Sequence, residues 1–156
     1  MRIRLIAVGT RMPAWVTAGF DDYVQRLPRE IRFELVEIAV EHRGKNADIV
    51  RMREAEGDKI LRACGRDAQL IAFDEHGEAL DTVAWSKALA GWQQDGRDVC
   101  FAVGGPDGHA PAVLAAARAR WSLSKLTFPH ALVRVLIAEQ LYRAHSLLIN
   151  HPYHRA

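Results

Sequence analysis

The chain has 156 residues, of which 49% are hydrophobic and 26% charged, and a formal net charge of +2. This size fits one globular domain over residues 1–156, burying roughly two-thirds of its unfolded surface, and no apolar run approaches the roughly 20 residues that would cross a bilayer. The opening MRIRLIAVGT is too short and too charged for a signal peptide, so a cytoplasmic protein without a membrane partner is expected.

In chain order, RIRLIAV (2–8) is a β-rich run closed by Gly9. Pro13, Trp15, Val16, Phe20, Tyr23 and Val24 keep helical spacing up to Pro28, and IRFELVEI is the next strand. Residues 47–64 read as a helix stopped by Gly65, with Gly57 an unfavourable interior residue. QLIAF (69–73) reads as a short buried strand ending in the turn DEHGE. Thr82 is expected to cap a helix carrying Trp85, Leu89 and Trp92. DVCFAV then runs into GGPDG, a short Ala-rich helix follows, WSLSKLTF is strand-like, and Pro129 opens a long helix to about Ile149. Strands separated by helices imply an α/β fold with a mostly parallel sheet and helices on both faces. Cys64 and Cys100 show no paired spacing and are expected to be buried thiols.

The small net charge hides an asymmetry. Residues 67–117 hold two basic side chains (Lys87, Arg97) against eight acidic ones, whereas residues 118–156 hold six basic ones against Glu139 alone, with four of the seven histidines. A polyanion is drawn toward that end. A second basic group, Arg43, Lys45, Arg51 and Arg53, lies on a loop running into a helix and also suits plain solvated surface. The terminal NHPYHR is rich in ring faces, imidazoles and guanidinium, a composition suited to docking rather than to a disordered tail.

Ligands of open parallel sheets bind beyond the carboxyl ends of the strands. Two loops there draw notice. In VGGPDG, Gly104 and Gly105 let the backbone approach a ligand, although the same residues suit an ordinary strand-to-helix turn. The spacing is not G-x-G-x-x-G, and no Gly-Lys-Ser/Thr phosphate loop occurs. In LSKLTFPH, the backbone amides at the helix start, with His130 beside them, suit either a polar ligand or structural capping.

Together VGTRMPAW, HRGKNADI, VGGPDG, WSLSKLTFPH, LVRVLIAEQLYRA and NHPYHR, in this order across the whole chain, resemble the SPOUT methyltransferases, in the branch that methylates N3 of a pseudouridine in bacterial 23S rRNA of the assembled ribosome. The resemblance implies a C-terminal trefoil knot, a homodimer, and S-adenosyl-L-methionine as cofactor. It places the cofactor at Phe73, where relatives often carry Leu, at Gly104 and Gly105, and at Leu123, Ser124, Lys125, Leu126, Thr127 and Phe128, largely through backbone groups. A branched side chain at Gly105 is expected to fill space left for the ligand.

A sulfonium already activates its methyl group, so the protein must align methyl and acceptor and remove the imide proton of uracil. Candidates are His130, Tyr153 and His154, with Arg155 and Arg143 to hold phosphate or a developing anion. Glu139 and Arg143 also have the spacing of a simple intrahelical pair. His151 and His154, with Pro152 and Tyr153 between them and no third ligand, do not make a metal site. Alternatives are a ribosome-associated RNA-binding module without catalysis and a tRNA methyltransferase. The chain offers no spare segment for a separate RNA-binding domain, which favours a substrate presented by a large assembly. The apolar positions Leu132, Val135, Leu136 and Leu147 nominate the long helix for the dimer interface.

Overall fold

A computed structural model of the chain, describing residues 1–155, sets its apolar strands side by side in one five-stranded sheet. In chain order the elements are β1 (Arg2–Val8), α1 (Ala14–Gln25), β2 (Arg32–Ile38), α2 (Ile49–Cys64), β3 (Gln69–Ala79), α3 (Thr82–Asp95), β4 (Val99–Val103), α4 (Pro111–Ala116), β5 (Ala119–Ser122) and α5 (His130–Leu148), with a 3-10 turn at Pro152–Arg155. The strand order is β2-β1-β4-β3-β5 and all four pairings are parallel. Parallel neighbours require crossover connections, which put helices on both faces, as the sequence pattern implies.

Side-chain alternation divides each strand between two cores. Ile3, Leu5 and Ala7 of β1 pack with Phe20, Trp85, Leu89, Ile137 and Leu141 from α1, α3 and α5. Ile6 and Val8 pack with Ile60, Cys64, Ala110 and Val113 around α2 and α4. Gly57 has its reason here: a Cβ on it would stand 2.9 Å from the Ala110 Cβ, so the glycine lets α2 and α4 approach. Both cysteines are free and buried, with the Cys100 thiol directed at the Cys64 carbonyl 3.7 Å away. The adjacent Cys64 thiol and burial raise the Cys100 pKa, so it is no nucleophile.

Three local expectations need correction. DEHGE is not the end of a strand: β3 continues to Ala79, with its register against β5 shifting between Phe73 and Glu78. A Cβ on Gly77 would lie 2.7 Å from the Arg120 backbone, so that glycine serves a close strand contact rather than a turn. The cap of α3 is Asp81, whose side chain accepts from the Ala84 amide, and Thr82 is already helical. WSLSKLTF is strand only to Ser122, because Ser122 Oγ then donates to the Ser124 carbonyl and Ser124 Oγ accepts from the Leu126 amide, turns that compete with ladder pairing.

One cation ties the last helix to the first strand. Arg134 of α5 is 2% exposed and donates to the Gly9 carbonyl just past β1 (2.7 Å) and to Glu37 of β2 (2.7 Å). Both bonds are needed, since a buried guanidinium without partners is costly.

Candidate active site

At the carboxyl ends of β4 and β5, beside the point after Phe73 where the register of β3 shifts, the chain leaves a cavity of about 310 Å³. Its lining includes Phe73, Gly104, Gly105, Leu123, Ser124, Leu126, Thr127, Phe128 and His130, so the loops singled out in the sequence converge on one space. Lys125 belongs to the same loop but its side chain is exposed and does not line the cavity. The Phe73 ring is core: 8% exposed, it meets Phe101 edge-on at 5.5 Å and Trp121 at 6.2 Å. Its ring therefore packs inward while the Phe73–Glu75 stretch of β3 frames the cavity.

The glycine loop is held by backbone contacts. The Gly108 amide donates to the Gly105 carbonyl (3.1 Å), and a Cβ on Gly104 would lie 2.9 Å from the Gly108 carbonyl carbon. A Cβ on Gly105 would point not into the cavity but at Val8 Cγ1 (3.0 Å) and Glu56 Oε1 (3.3 Å). A branched residue at 105 would thus act by lifting the loop off its support, not by filling the ligand's space.

Sequence reading missed three contributors. His109 bonds through Nε2 to the carbonyls of Phe73 (3.1 Å) and Ala102 (3.2 Å). Carbonyls only accept, so Nε2 carries the proton; burial lowers the imidazole pKa and keeps Nδ1 bare. The histidine thereby pins the loop to β3 at Phe73 and to the end of β4 at Ala102. Asp74 and Glu75 add carboxylates to the rim. Asp74 and Glu75 follow Phe73 within β3, and His109 lies in the loop after β4, so the signal for all three was no more than proximity to the stretches already singled out.

His130 lines the cavity at the start of α5, with its Cε1 3.6 Å from where a Cβ on Gly9 would stand. Burial, and then the Arg134 guanidinium, hold its pKa below the usual imidazole range, so it is neutral near pH 7.

The tail docks on its own chain. Tyr153 donates to Glu139 Oε1 (2.9 Å), its ring lies edge-on to Tyr142 at 4.7 Å, and the Arg143 guanidinium stands 4.9 Å from the ring centre. Arg143 also pairs with Glu139 at 2.8 Å, the intrahelical pair expected from spacing. Burial, followed by the Tyr23 and Glu139 contacts, raises the Tyr153 pKa, which suits an anchor better than a base. His154 is half-buried with Nδ1 lacking a hydrogen-bond partner, and Arg155 is exposed. None of the three lines the cavity: Glu139, where Tyr153 is tied, lies nine residues after His130, about 14 Å along α5. Among the described residues no group of three or more His, Cys, Asp or Glu is placed to hold a metal ion, and no helix is long and apolar enough to cross a membrane.

Comparison with known proteins gives this geometry a context. Residues 1–154 match the family described as "Predicted SPOUT methyltransferase". The chain is similar to "Ribosomal RNA large subunit methyltransferase H" of Alkalilimnicola ehrlichii, 58% identical over 156 residues and covering all of both chains. A match that takes in the sheet, both cavity loops and the helix bearing His130 leaves one assignment: this chain belongs to the SPOUT methyltransferase family.

Proposed function

We propose that the chain transfers a methyl group from S-adenosylmethionine to N3 of a pseudouridine in 23S rRNA of the assembled ribosome, acting as a cytoplasmic homodimer. The observation that carries this reading is the meeting of the 104–109 and 121–128 loops in one cavity at the strand ends, in a chain 58% identical throughout to a large-subunit rRNA methyltransferase.

The residues present fit the donor. The cavity has a volume at the lower end of small-molecule sites, apolar walls at Val103, Leu123, Leu126 and Phe128, backbone surface at Gly104 and Gly105, and carboxylates at Asp74 and Glu75. When bound, S-adenosylmethionine supplies an electrophilic methyl group on a cationic sulfur. The glycine loop and the 123–128 loop hold and orient the donor, while Asp74 and Glu75 offer acceptors to its hydroxyl or amino groups. His130, neutral at the cavity mouth, takes the imide proton of the uracil ring. His154 and Arg155 hold the base and its phosphate.

Because the tail lies away from the cavity of its own chain, these last two residues reach a cavity only from a second copy. Half-exposed Leu132, Val135, Leu136 and Leu147 on α5, with Trp15 58% exposed on α1, supply apolar surface for such a dimer. We further infer the family's trefoil knot; in its support, the chain runs from edge strand β5 back to seat Arg134 against β1, past the cavity loops.

Light scattering at micromolar concentration is expected to give twice the 17.5 kDa chain mass, and a monomer would count against the trans arrangement. Gly104→Ala is expected to weaken donor binding about ten- to a hundredfold by calorimetry, since its Cβ forces the loop to shift at a cost of about 1–3 kcal/mol. The function itself is tested by incubating the purified protein with ribosomes and labelled S-adenosylmethionine, then digesting the rRNA for mass spectrometry. N3-methylpseudouridine in 23S rRNA is expected; label confined to tRNA, or no label, would refute the reading.

A further inference from the structure

The four cations between residues 43 and 53 have different fates. Arg43 is fully committed inside the protein: it donates to Glu56 through both terminal nitrogens (2.8 and 2.9 Å), to Asp107 through Nε (2.8 Å) and to the Glu41 carbonyl (2.7 Å). Glu56 is 2% exposed and also accepts from the Glu41 amide (3.0 Å), while its Oε1 sits beneath Gly105. One carboxylate therefore supports both the irregular 39–48 segment and the glycine loop, and Arg43 joins the two.

Two of the remaining cations face outward. Lys45 and Arg51 are exposed and take part in no ion pair among the described residues, and Arg53 has a buried Nε without a hydrogen-bond partner. Of the nearby acids, Glu41 pairs with Lys59, Asp107 holds Arg43, Asp48 caps α2 through the Arg51 amide, and Glu54 is exposed. His42 and Asn46 add exposed polar groups. The outer face of this segment thus presents Lys45 and Arg51 without ion-pair partners among the described residues, fixed by a 2.8 Å contact to a loop that lines the cavity.

From this we infer that residues 42–53 form a docking rim for the phosphate backbone of the substrate RNA, coupled through Arg43 and Asp107 to the donor-binding loop. This rests on the reading of the chain as an rRNA methyltransferase. RNA is the partner whose regularly spaced anions match these donors beside a cavity that must admit one of its bases. Arg43 is a positioning residue: it touches neither RNA nor donor, and a shift of the rim moves Asp107 and the loop with it.

Large ribosomal subunits and S-adenosylmethionine serve as separate probes. The double variant Lys45→Ala/Arg51→Ala is expected to bind subunits roughly tenfold more weakly near 0.1 M salt, with a log–log salt slope shallower by about 1.4–1.8, and to bind donor with wild-type affinity. Unchanged subunit affinity and slope would overturn the rim. Removing Arg43 would strand buried Glu56, so the coupling is tested with Asp107→Asn, which keeps the Arg43–Glu56 pair intact. That variant is expected to lose donor affinity about threefold to tenfold without RNA present, and wild-type affinity would overturn the coupling. A wild-type protein that neither binds donor nor methylates ribosomes refutes the parent reading instead, so the two failures are distinct.

Discussion

A chain ending at Tyr153 is expected to bind S-adenosylmethionine normally and to methylate ribosomes roughly 10²–10⁴-fold more slowly, the scale of losing a positioned proton-transfer or anion-holding group. The cut is placed after Tyr153 because that residue anchors the tail on Glu139, Tyr142 and Arg143. Deleting it too would confuse catalysis with stability, by about 1–2 kcal/mol or roughly 2–8 °C in melting temperature. Mixing decides where the tail acts. Truncated chains mixed with full-length Gly104→Ala chains form heterodimers in which one intact cavity faces one intact tail, and activity above the sum of the two is expected. A truncated enzyme at the full-length rate would reduce the tail to packing; a mixture with no gain would put the tail's action within its own chain.

His130→Gln is expected to slow methylation on the same scale, without affecting subunit binding. The sign of its pH dependence follows from its surroundings. Burial and Arg134 depress the imidazole pKa, so the neutral, proton-accepting form persists through pH 7 and is lost as pH falls through a value below about 6.5. The wild-type rate should therefore be flat near neutrality and decline only on the acid side. The glutamine variant should lack that acid limb. A wild-type acid limb that survives the substitution would assign the proton transfer elsewhere.

Much of the sheet was legible in the sequence because β1 and β4 are rich in apolar residues, β2 alternates charged with apolar ones, and helices separate them. The cavity was legible through glycine: Gly104 marks a backbone pressed close to its own loop, and Gly105 one pressed onto Val8 and Glu56. What escaped depended on contacts distant in sequence. DEHGE carries turn chemistry, yet Glu78 and Ala79 pair with Trp121 and Ser122 of β5, far along the chain, and tertiary pairing overrode local preference. His109 looked like a loop residue until two strand ends closed around it. Arg43 resembled its neighbours Lys45 and Arg51, and only folding separates the cation turned inward from those left outside. The tail was expected to dock, and it docks on its own helix through Tyr153.

The Arg134 bonds set a schedule for the chain's assembly. Gly9 and Arg134 are 125 residues apart in sequence, so at roughly 5–20 residues per second a growing chain waits roughly 6–25 s between making the acceptor and making its donor. Until then β1 has no α5 above it, and Ile3, Leu5 and Ala7 lack the Ile137 and Leu141 side chains that complete their core. Such long-range closure favours slow folding, with the N-terminal half exposed while it waits. A nascent chain stalled before residue 130 should remain protease-sensitive throughout and become resistant as a unit once α5 is complete, so that the cavity loops acquire their shape only when the whole sheet is locked.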